Sequence, residues 1–214
     1  MAPSIYHIVH LDNLESIFND RFIYSHKHMI QREGSWVDIG MNHIKERRLY
    51  QRRLTSHPGL YVGECVPFYF CPRSIMLYVI HKKRSPHLDF KGGQENIIHL
   101  VSSMREADAW AKYHNQRTAF TDNNAGSSCF NDYSDLGDLN RLNWDAIYHK
   151  GYWGDNETIK SAKQSEFLIE DKFPLELITG IGVYSEKQGR AVAKLISEFG
   201  FGFNNIQLRR DWYY

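Results

Sequence analysis

Several features that define common classes of protein are missing from this sequence. Its 214 residues contain no apolar run long enough to cross a bilayer, and the N-terminus has no signal-peptide pattern. Cysteine is scarce, because only Cys65, Cys71 and Cys129 are present and no two of them form a CxxC pair. An odd number of unpaired thiols argues against a zinc site and is typical of a reducing compartment. We therefore expect a cytoplasmic protein that does not contact a membrane.

Charge of one sign and the common nucleotide-binding motifs are also lacking. A formal net charge of +1 gives no overall basic field, so any contact with nucleic acid must come from local clusters and stacking aromatics. The eleven histidines include no HExxH arrangement, and no metal is expected. Without GxGxxG or GxxxxGK, neither a Rossmann nor a P-loop phosphate cradle is available. With 42% hydrophobic residues and no Pro/Ser/Gly linker, the sequence predicts one domain over residues 1–214.

The hydrophobic periodicity predicts an α+β protein. Alternating or continuous apolar runs predict strands at residues 5–10, 97–101, 118–121, 166–170, 178–184 and 206–208, and a short strand bracketed by Pro67 and Pro72. Helical spacing predicts helices between these strands, including one over residues 42–53, one that Ser74 caps, and one near residues 142–147. Residues 20–40 follow neither period and predict a mobile loop, and a second polar, functional loop is expected over about residues 122–165. Because strands and helices do not alternate regularly, we expect a mainly antiparallel, split sheet flanked by helices.

Two titratable residues on the predicted strands are candidates for function. Glu166 begins a strand that is apolar on both faces, where a carboxylate needs either water or a positive partner. It could be an ordinary solvated acid at a strand end. His7 shares one strand face with Ile5 and Val9, so its imidazole is at least half buried. A hydrogen-bonded core histidine and a donor or acceptor aimed at a ligand hydroxyl both fit this position.

Arginines and aromatic residues supply the remaining candidates. Arg48 falls on the same helical stripe as Met41 and Ile44, and an inward-facing arginine requires an anion or carboxylate. A second group consists of arginines that could contact phosphates and aromatic residues that could stack on flat heterocycles. The alternative for the arginines is a solvated charged face, and the alternative for the aromatic residues is core packing. Its members are Arg47, Arg52, Arg53, Tyr69, Phe70, Tyr152 and Trp153.

Taken together, blocks spread along the whole chain resemble the DarT family of bacterial toxins that ADP-ribosylate DNA. The blocks are residues 5–10, 42–48 with Glu46-Arg47-Arg48, 66–73, 92–95, 99–101, 164–168 and the C-terminal Trp212-Tyr213-Tyr214. The pattern is closer to the branch that modifies thymidine than to the branch that modifies guanosine. The resemblance implies an ADP-ribosyltransferase fold, NAD as the donor of ADP-ribose and single-stranded DNA as the acceptor.

The resemblance also implies site residues. His7 matches a histidine that contacts the NAD ribose, with Ile8 and Val9 on the same NAD-binding strand, and Ser16 and Tyr24 fall where further NAD contacts are expected. Relatives often carry glycines near Ser16, where this sequence departs from the pattern. Arg48 matches an arginine implicated in NAD binding and in removing the thymine proton, and Glu166 matches the catalytic glutamate. Tyr69 or Phe70 would stack on nicotinamide.

On the acceptor side, the resemblance implies that residues 122–165 present the DNA base. Arg47, Arg52, Tyr152 and Trp153 would contact the nucleic acid. The family also implies a toxin–antitoxin system whose toxin blocks replication and whose macrodomain antitoxin removes ADP-ribose. Alternatives are an ADP-ribosyltransferase that acts on guanosine, RNA or protein, and a non-enzymatic module that binds single-stranded nucleic acid and does not consume NAD.

Overall fold

A large, mostly antiparallel sheet with helices packed around it forms the frame of the protein. The computed structural model describes residues 3–83, 85–203 and 205–214. The strands in these ranges are Ser4–His10 (β1), Phe22–Tyr24 (β2), Cys65–Tyr69 (β3), Ile97–Ser103 (β4), Thr118–Thr121 (β5), Asp132–Tyr133 (β6), Glu166–Glu170 (β7), Lys172–Pro174 (β8), Ile178–Val183 (β9) and Ile206–Leu208 (β10). The predicted α+β fold with a mainly antiparallel sheet is confirmed.

The α-helices lie between the strands in no regular alternation. They are Leu14–Asp20 (α1), His26–Met29 (α2), Asn42–Tyr50 (α3), Ile75–Lys82 (α4), Met104–Tyr113 (α5), Trp144–Ile147 (α6), Glu157–Ala162 (α7) and Glu186–Glu198 (α8). Side-chain hydroxyls cap several of them: Ser74 accepts from Leu77 N at 3.2 Å at the start of α4, and Ser103 begins α5 in the same way. No helix in the described part of the chain is both long and apolar enough to cross a membrane.

The main sheet is split in its middle. Its strand order is β10-β9-β4-β1-β3-β7-β5-β6, and only the β10–β9 pair is parallel. β1 pairs with β4 along all seven of its residues, but it pairs with β3 only through Tyr6 and Tyr69. β3 in turn pairs along its full length with β7. The sheet therefore consists of two well-paired halves that diverge from a single point of contact, and this divergence opens a cleft.

Apolar side chains from both halves make one continuous core. Ile5 and Val9 of β1 pack in the same cluster as Phe68 of β3 and Phe167 of β7, all of them buried. Successive side chains of a strand point to opposite faces, so each of these strands keeps a second face for other contacts. On β3 that second face, with Cys65, Pro67 and Tyr69, lines the cleft, whereas β1 contributes residues from both of its faces.

Four local features differ from the sequence predictions. Residues 20–40 are not a structureless loop, because they contain β2 and α2, and β2 pairs antiparallel with β8 from the other end of the chain. The helix predicted over residues 42–53 ends at Tyr50. Pro67 and Pro72 do not bracket a strand, because Pro67 lies in the middle of β3, where it is aligned with Leu168 of β7. Residues 122–165 contain the expected anchoring helix as α6, but they also contain β6 and α7, which were not predicted.

Candidate active site

A cavity of about 390 Å³ lies where β1 and β3 diverge. Its walls come from β1, α1, the segment from β2 to the start of α3, α3 itself, β3, α4 and the first residue of β7, with the side chains of Asn124 and Gln164. Seven of the eight residues predicted to bind NAD line it: His7, Ile8, Val9, Ser16, Tyr24, Arg48 and Tyr69. Glu166 lines it as well. The fold thus brings an early strand, a helix arginine and a late acid to one cleft.

His7 bridges the two strands at the split. Its Nδ1 lies 2.8 Å from the carbonyl oxygen of Pro67, a residue that has no N–H of its own. Because a carbonyl can only accept, Nδ1 carries the proton and donates, which leaves Nε2 as an acceptor. Burial lowers the pKa of His7, and the hydrogen bond to Pro67 opposes this only in part. The side chain is therefore a neutral imidazole with a fixed tautomer, suited to accept a hydrogen bond from a hydroxyl.

The two aromatic candidates on the 66–73 run have different environments. Cys65, Pro67 and Tyr69 alternate along β3 and all line the cleft. Phe70 continues the opposite face of this strand, is 1% exposed and packs edge-on against Trp144 with ring centroids 5.3 Å apart. The prediction that Phe70 could stack on a ligand is therefore wrong. Side chains alternate between the two faces of a strand, so the ring next to Tyr69 points into the core. Burial raises the pKa of the Tyr69 phenol well above its usual value, so it is neutral.

Arg48 and Glu166 form a buried ion pair in the cleft. Arg48 Nη1 donates to Glu166 Oε1 at 3.0 Å, and the two side chains are 13% and 3% exposed. The alternative of a solvated strand-end acid is therefore excluded for Glu166. One buried atom on each partner, Nη2 of Arg48 and Oε2 of Glu166, has no hydrogen-bond partner among the residues that the structure describes. Buried polar atoms normally find partners, so an unpaired donor and an unpaired acceptor side by side indicate a place for a polar ligand.

The charge on Arg48 is stabilised by this pairing. Burial alone would lower the pKa of the guanidinium, but the Glu166 carboxylate outweighs that effect and holds the pKa above its usual value. Nearby, burial and the charge of Lys45 lower the pKa of His26 to about 4, so His26 is neutral at physiological pH. The cleft lining therefore contains three positive side chains, Arg32, Lys45 and Arg48, together with the neutral imidazole of His26.

Glu166 is held from both sides. In β3, Tyr69 is its aligned partner, and on the β5 side its backbone N–H donates to Thr121 Oγ1 at 3.1 Å. The Thr121 hydroxyl in turn donates to the carbonyl of Asn123 at 2.7 Å. Two neighbouring amides, Asn124 and Gln164, are hydrogen-bonded to each other at 3.0 Å and also line the cleft. The sequence analysis missed this amide pair, since nothing in the spacing of two amides forty residues apart indicates contact.

The segment of residues 32–41 forms an outer wall of the cleft, which the sequence analysis also missed. It is fastened to α1 by Asn13, whose side chain donates to the Val37 carbonyl and accepts from the Val37 N–H, each at 2.8 Å. It is fastened to α3 by an ion pair between Asp38 and Lys45. Tyr24 lies on the same side, stacked on His28 at a centroid distance of 4.0 Å with Arg32 over its ring. Trp36 and Val37 of this wall line the cleft.

The residues predicted to contact nucleic acid lie outside the cleft lining. Arg47 lies in the second half of α3, and Arg52 follows two residues after the end of this helix. Both are half-buried, and Nε of each is buried without a hydrogen-bond partner in the described ranges. Tyr152 is 96% exposed. Trp153 instead packs edge-on against Tyr78, with centroids 5.1 Å apart. Among the described residues, no group of three or more His, Cys, Asp or Glu side chains could hold a metal ion.

The split sheet brings a buried acid, an arginine and a strand histidine to one cleft. Comparisons with known proteins identify the class of protein as the DNA ADP-ribosyl transferases. A DNA ADP-ribosyl transferase of Thermus sp. (strain 2.9) is 38% identical over 212 residues, which cover 98% of this chain and 95% of that protein. The structure of Thermus sp. 2.9 DarT in complex with ADP-ribosylated ssDNA matches with a TM-score of 0.88 and 36% identity, over 100% of this chain and 97% of the other. The same protein in complex with NAD+ gives a TM-score of 0.83 and 33% identity, over 100% and 98%.

A more distant structure, Thermosipho africanus DarTG in complex with ADP-ribose, has the same fold. Its TM-score is 0.75 at 19% identity, and the match covers 99% of this chain but 51% of that longer chain. The sequence model of one family, described as "ssDNA thymidine ADP-ribosyltransferase, DarT", matches residues 6–214. This chain belongs to the DarT family.

Proposed function

We propose that this protein transfers ADP-ribose from NAD to thymidine in single-stranded DNA, with the Arg48–Glu166 pair at the reacting centre. The observation that carries this proposal is the pair itself: it is buried, it lines the cleft, and each partner keeps one unpaired polar atom. Membership of the DarT family and the likeness to a relative solved with NAD+ and with ADP-ribosylated ssDNA support the choice of donor and acceptor.

The residues that line the cleft fit NAD as the donor substrate. Nε2 of His7 can accept a hydrogen bond from a ribose hydroxyl, because Nδ1 is committed to Pro67. Tyr69 presents a ring to the cleft on which the flat nicotinamide can stack. Lys45 and Arg48 supply the positive charge that a pyrophosphate requires. Ser16 and Tyr24, at the other end of the same cleft, complete the proposed NAD-binding set with Ile8 and Val9.

Glu166 is positioned to lower the barrier for loss of nicotinamide. When the bond from the nicotinamide nitrogen to ribose C1 breaks, its electron pair leaves with nicotinamide and positive charge builds on the sugar. A carboxylate close to that sugar stabilises the charge, and it does so most strongly where water is excluded. Glu166 is 2% exposed and its Oε2 is uncommitted, so it meets both conditions.

Arg48 acts as the electrostatic partner of this step. The thymine nitrogen N3 forms the new bond to C1 and loses its proton, so negative charge spreads over the base as the reaction proceeds. A guanidinium beside it stabilises that charge. Because Glu166 holds the pKa of Arg48 above its usual value, Arg48 keeps its own proton, and Glu166 is the neighbouring base that can receive the proton of thymine. This division of roles differs from a mechanism in which the arginine removes the proton.

The DNA strand is proposed to follow the segment of residues 122–165 and the outer side of α3. Tyr152 is almost fully exposed and can stack on an unpaired base, and Trp153 lies beside it. Arg47 and Arg52 would hold phosphates. Replacing either arginine with alanine should weaken oligonucleotide binding to a similar extent for every sequence and lower the slope of log K against log[salt] by about 1. Fluorescence anisotropy at several salt concentrations measures both, and an unchanged slope would remove that arginine from the phosphate contacts.

The proposed activity has a direct test. The protein is incubated with NAD and single-stranded oligonucleotides that contain either one thymidine or none, and the products are weighed by mass spectrometry. We expect one added ADP-ribose on the thymidine-containing strand alone. Label from NAD appearing instead on guanosine, RNA or protein would change the acceptor, and oligonucleotide binding without NAD consumption would identify a binding module.

The biological setting we propose is that of a toxin in the bacterial cytoplasm. An ADP-ribose on a base blocks pairing at that base, so modification of the single-stranded template would stop replication. A cell that makes such an enzyme needs its action reversed, which a macrodomain antitoxin that removes ADP-ribose would do. Support comes from the resemblance to the DarT family. Expression in a host with and without a macrodomain partner tests it, and equal growth of both cultures would refute the toxin role.

A further inference from the structure

We propose that Asn124 is a specificity-determining residue that donates a hydrogen bond to the 4-carbonyl oxygen of the target thymine, and that Gln164 fixes its orientation. The inference rests on the proposed function, because it concerns the choice of base within the same cleft. Both side chains line that cleft together with Arg48 and Glu166. Neither residue has been given a role in binding NAD.

The hydrogen bonds around the two amides determine which atoms face which way. Asn124 Oδ1 accepts from the backbone N–H of Gly126 at 2.7 Å, and a backbone N–H can only donate. Its other terminal atom must then be the nitrogen Nδ2, which donates to Gln164 Oε1 at 3.0 Å. At the far end, Gln164 Nε2 donates to the backbone carbonyl of Lys160 at 3.1 Å, and a carbonyl can only accept. A donor at one end and an acceptor at the other thus fix both amides.

This arrangement leaves hydrogen-bond capacity for a ligand. An amide nitrogen carries two N–H groups, and Asn124 Nδ2 uses one of them on Gln164. The second N–H remains free on a side chain that borders the cleft. Flipping either amide would place two donors or two acceptors against each other. The second N–H of Asn124 Nδ2 is therefore a donor in a fixed position.

The position of Asn124 relative to the reacting pair is also fixed. A Cβ on Gly126, two residues further on, would lie 2.6 Å from Ile44 Cγ2 and 3.5 Å from Arg48 Cγ, so this turn packs directly against α3. Gln164 precedes Glu166 by two residues, and both line the cleft. The amide pair therefore joins the turn that touches Arg48 to the strand that carries Glu166.

Thymine and cytosine differ at the atom this donor would meet. Position 4 of thymine is a carbonyl oxygen, which accepts, whereas position 4 of cytosine is an amino group, which donates. That position is adjacent to N3, the nitrogen that reacts with the sugar. A fixed N–H donor there favours thymine, leaves cytosine with two opposed donors, and stabilises the negative charge that thymine develops as N3 loses its proton.

The test compares oligonucleotides that contain a single thymidine, 4-thiothymidine or 2-thiothymidine, since sulfur is a weaker acceptor than oxygen. We expect the parent protein to modify the 4-thio strand at least ~10-fold more slowly than the thymidine strand, the size of one lost hydrogen bond. Asn124→Ala should be slower on thymidine but should show nearly equal rates on the thymidine and 4-thio strands. For Asn124→Ala, the ratio of the rate on the thymidine strand to the rate on the 2-thio strand should stay at the parent value.

Ser127→Ala is the matched control. The Ser127 hydroxyl holds the same loop by donating to the Cys129 carbonyl at 2.7 Å and accepting from the Cys129 N–H at 3.3 Å, but Ser127 does not line the cleft. Loosening the loop in this way should lower the rate of modification of all three oligonucleotides by the same factor. The ratio of the rates on the thymidine and 4-thio strands should then stay at the parent value. If Asn124→Ala also keeps that ratio, or changes only the 2-thio ratio, the inference is wrong. A parent protein that modifies no thymidine strand would instead overturn the proposed function.

Discussion

Glu166→Ala is expected to lose at least ~100-fold in the rate of ADP-ribose transfer, the usual size for one preorganised electrostatic group. The physical reason is the position of the carboxylate, which is 2% exposed with one free oxygen in the cleft. Single-turnover transfer to a thymidine-containing oligonucleotide, followed by mass spectrometry, measures the rate. We expect circular dichroism to show that the variant remains folded.

Glu166→Gln separates the charge of this residue from its shape. Glutamine can still accept a hydrogen bond from Arg48 and fill the same volume, but it cannot stabilise a positive sugar or take up a proton. It should therefore be almost as slow as the alanine variant. A glutamine variant with the parent rate would show that the carboxylate charge is not used. Glu170 offers a control carboxylate, because it lies on the same strand as Glu166 but away from the cleft, where it pairs with Arg117.

Arg48→Ala should damage both stability and activity. It removes the partner of a carboxylate that is 3% exposed, and breaking a buried ion pair from one side typically costs about 3–5 kcal/mol. For a chain of this size, such a loss lowers Tm by roughly 10 °C. Thermal unfolding followed by circular dichroism measures the effect. An unchanged Tm would mean that water readily reaches Glu166 once the guanidinium is gone.

Arg48→Lys distinguishes the two consequences of that change. Lysine restores a positive charge next to Glu166, so most of the lost stability should return. Its ammonium is a point charge without the planar fork, so it cannot bond Glu166 and a ligand in the same geometry, and the transfer rate should stay low. If Arg48→Lys recovers both the transfer rate and the stability, then Arg48 acts only as a positive charge that balances Glu166.

The sequence predicted best those elements whose physical cause is local. β5 and β4 read as apolar, β-branched runs, and the hydroxyl of Ser74 marked the start of α4. Arg48 was predictable as an inward-facing side chain because helical spacing places it with Met41 and Ile44. The ion pair with Glu166 confirms that an inward arginine found a carboxylate.

What the sequence could not predict depends on contacts between distant parts of the chain. β2 has three residues and no periodic signal, and it exists because β8, some 150 residues away, pairs with it. Pro67 was predicted to bound a strand, yet it lies inside β3. Its polar backbone side faces the split, where the carbonyl bonds His7 and β1 offers no paired strand, so the missing N–H costs no ladder hydrogen bond. To decide whether Tyr69 or Phe70 faces the cleft, the register of β3 had to be known. A shift of one residue along a strand moves each side chain to the opposite face.

The split in the sheet has a mechanical consequence. One group of strands carries His7, and the other carries Tyr69 and Glu166. Between them the backbone pairing is limited to Tyr6–Tyr69, and the remaining links are the imidazole that reaches the Pro67 carbonyl and the apolar core that both halves share. A substitution in that core can therefore change catalysis without touching the cleft, if it changes the angle between the two halves.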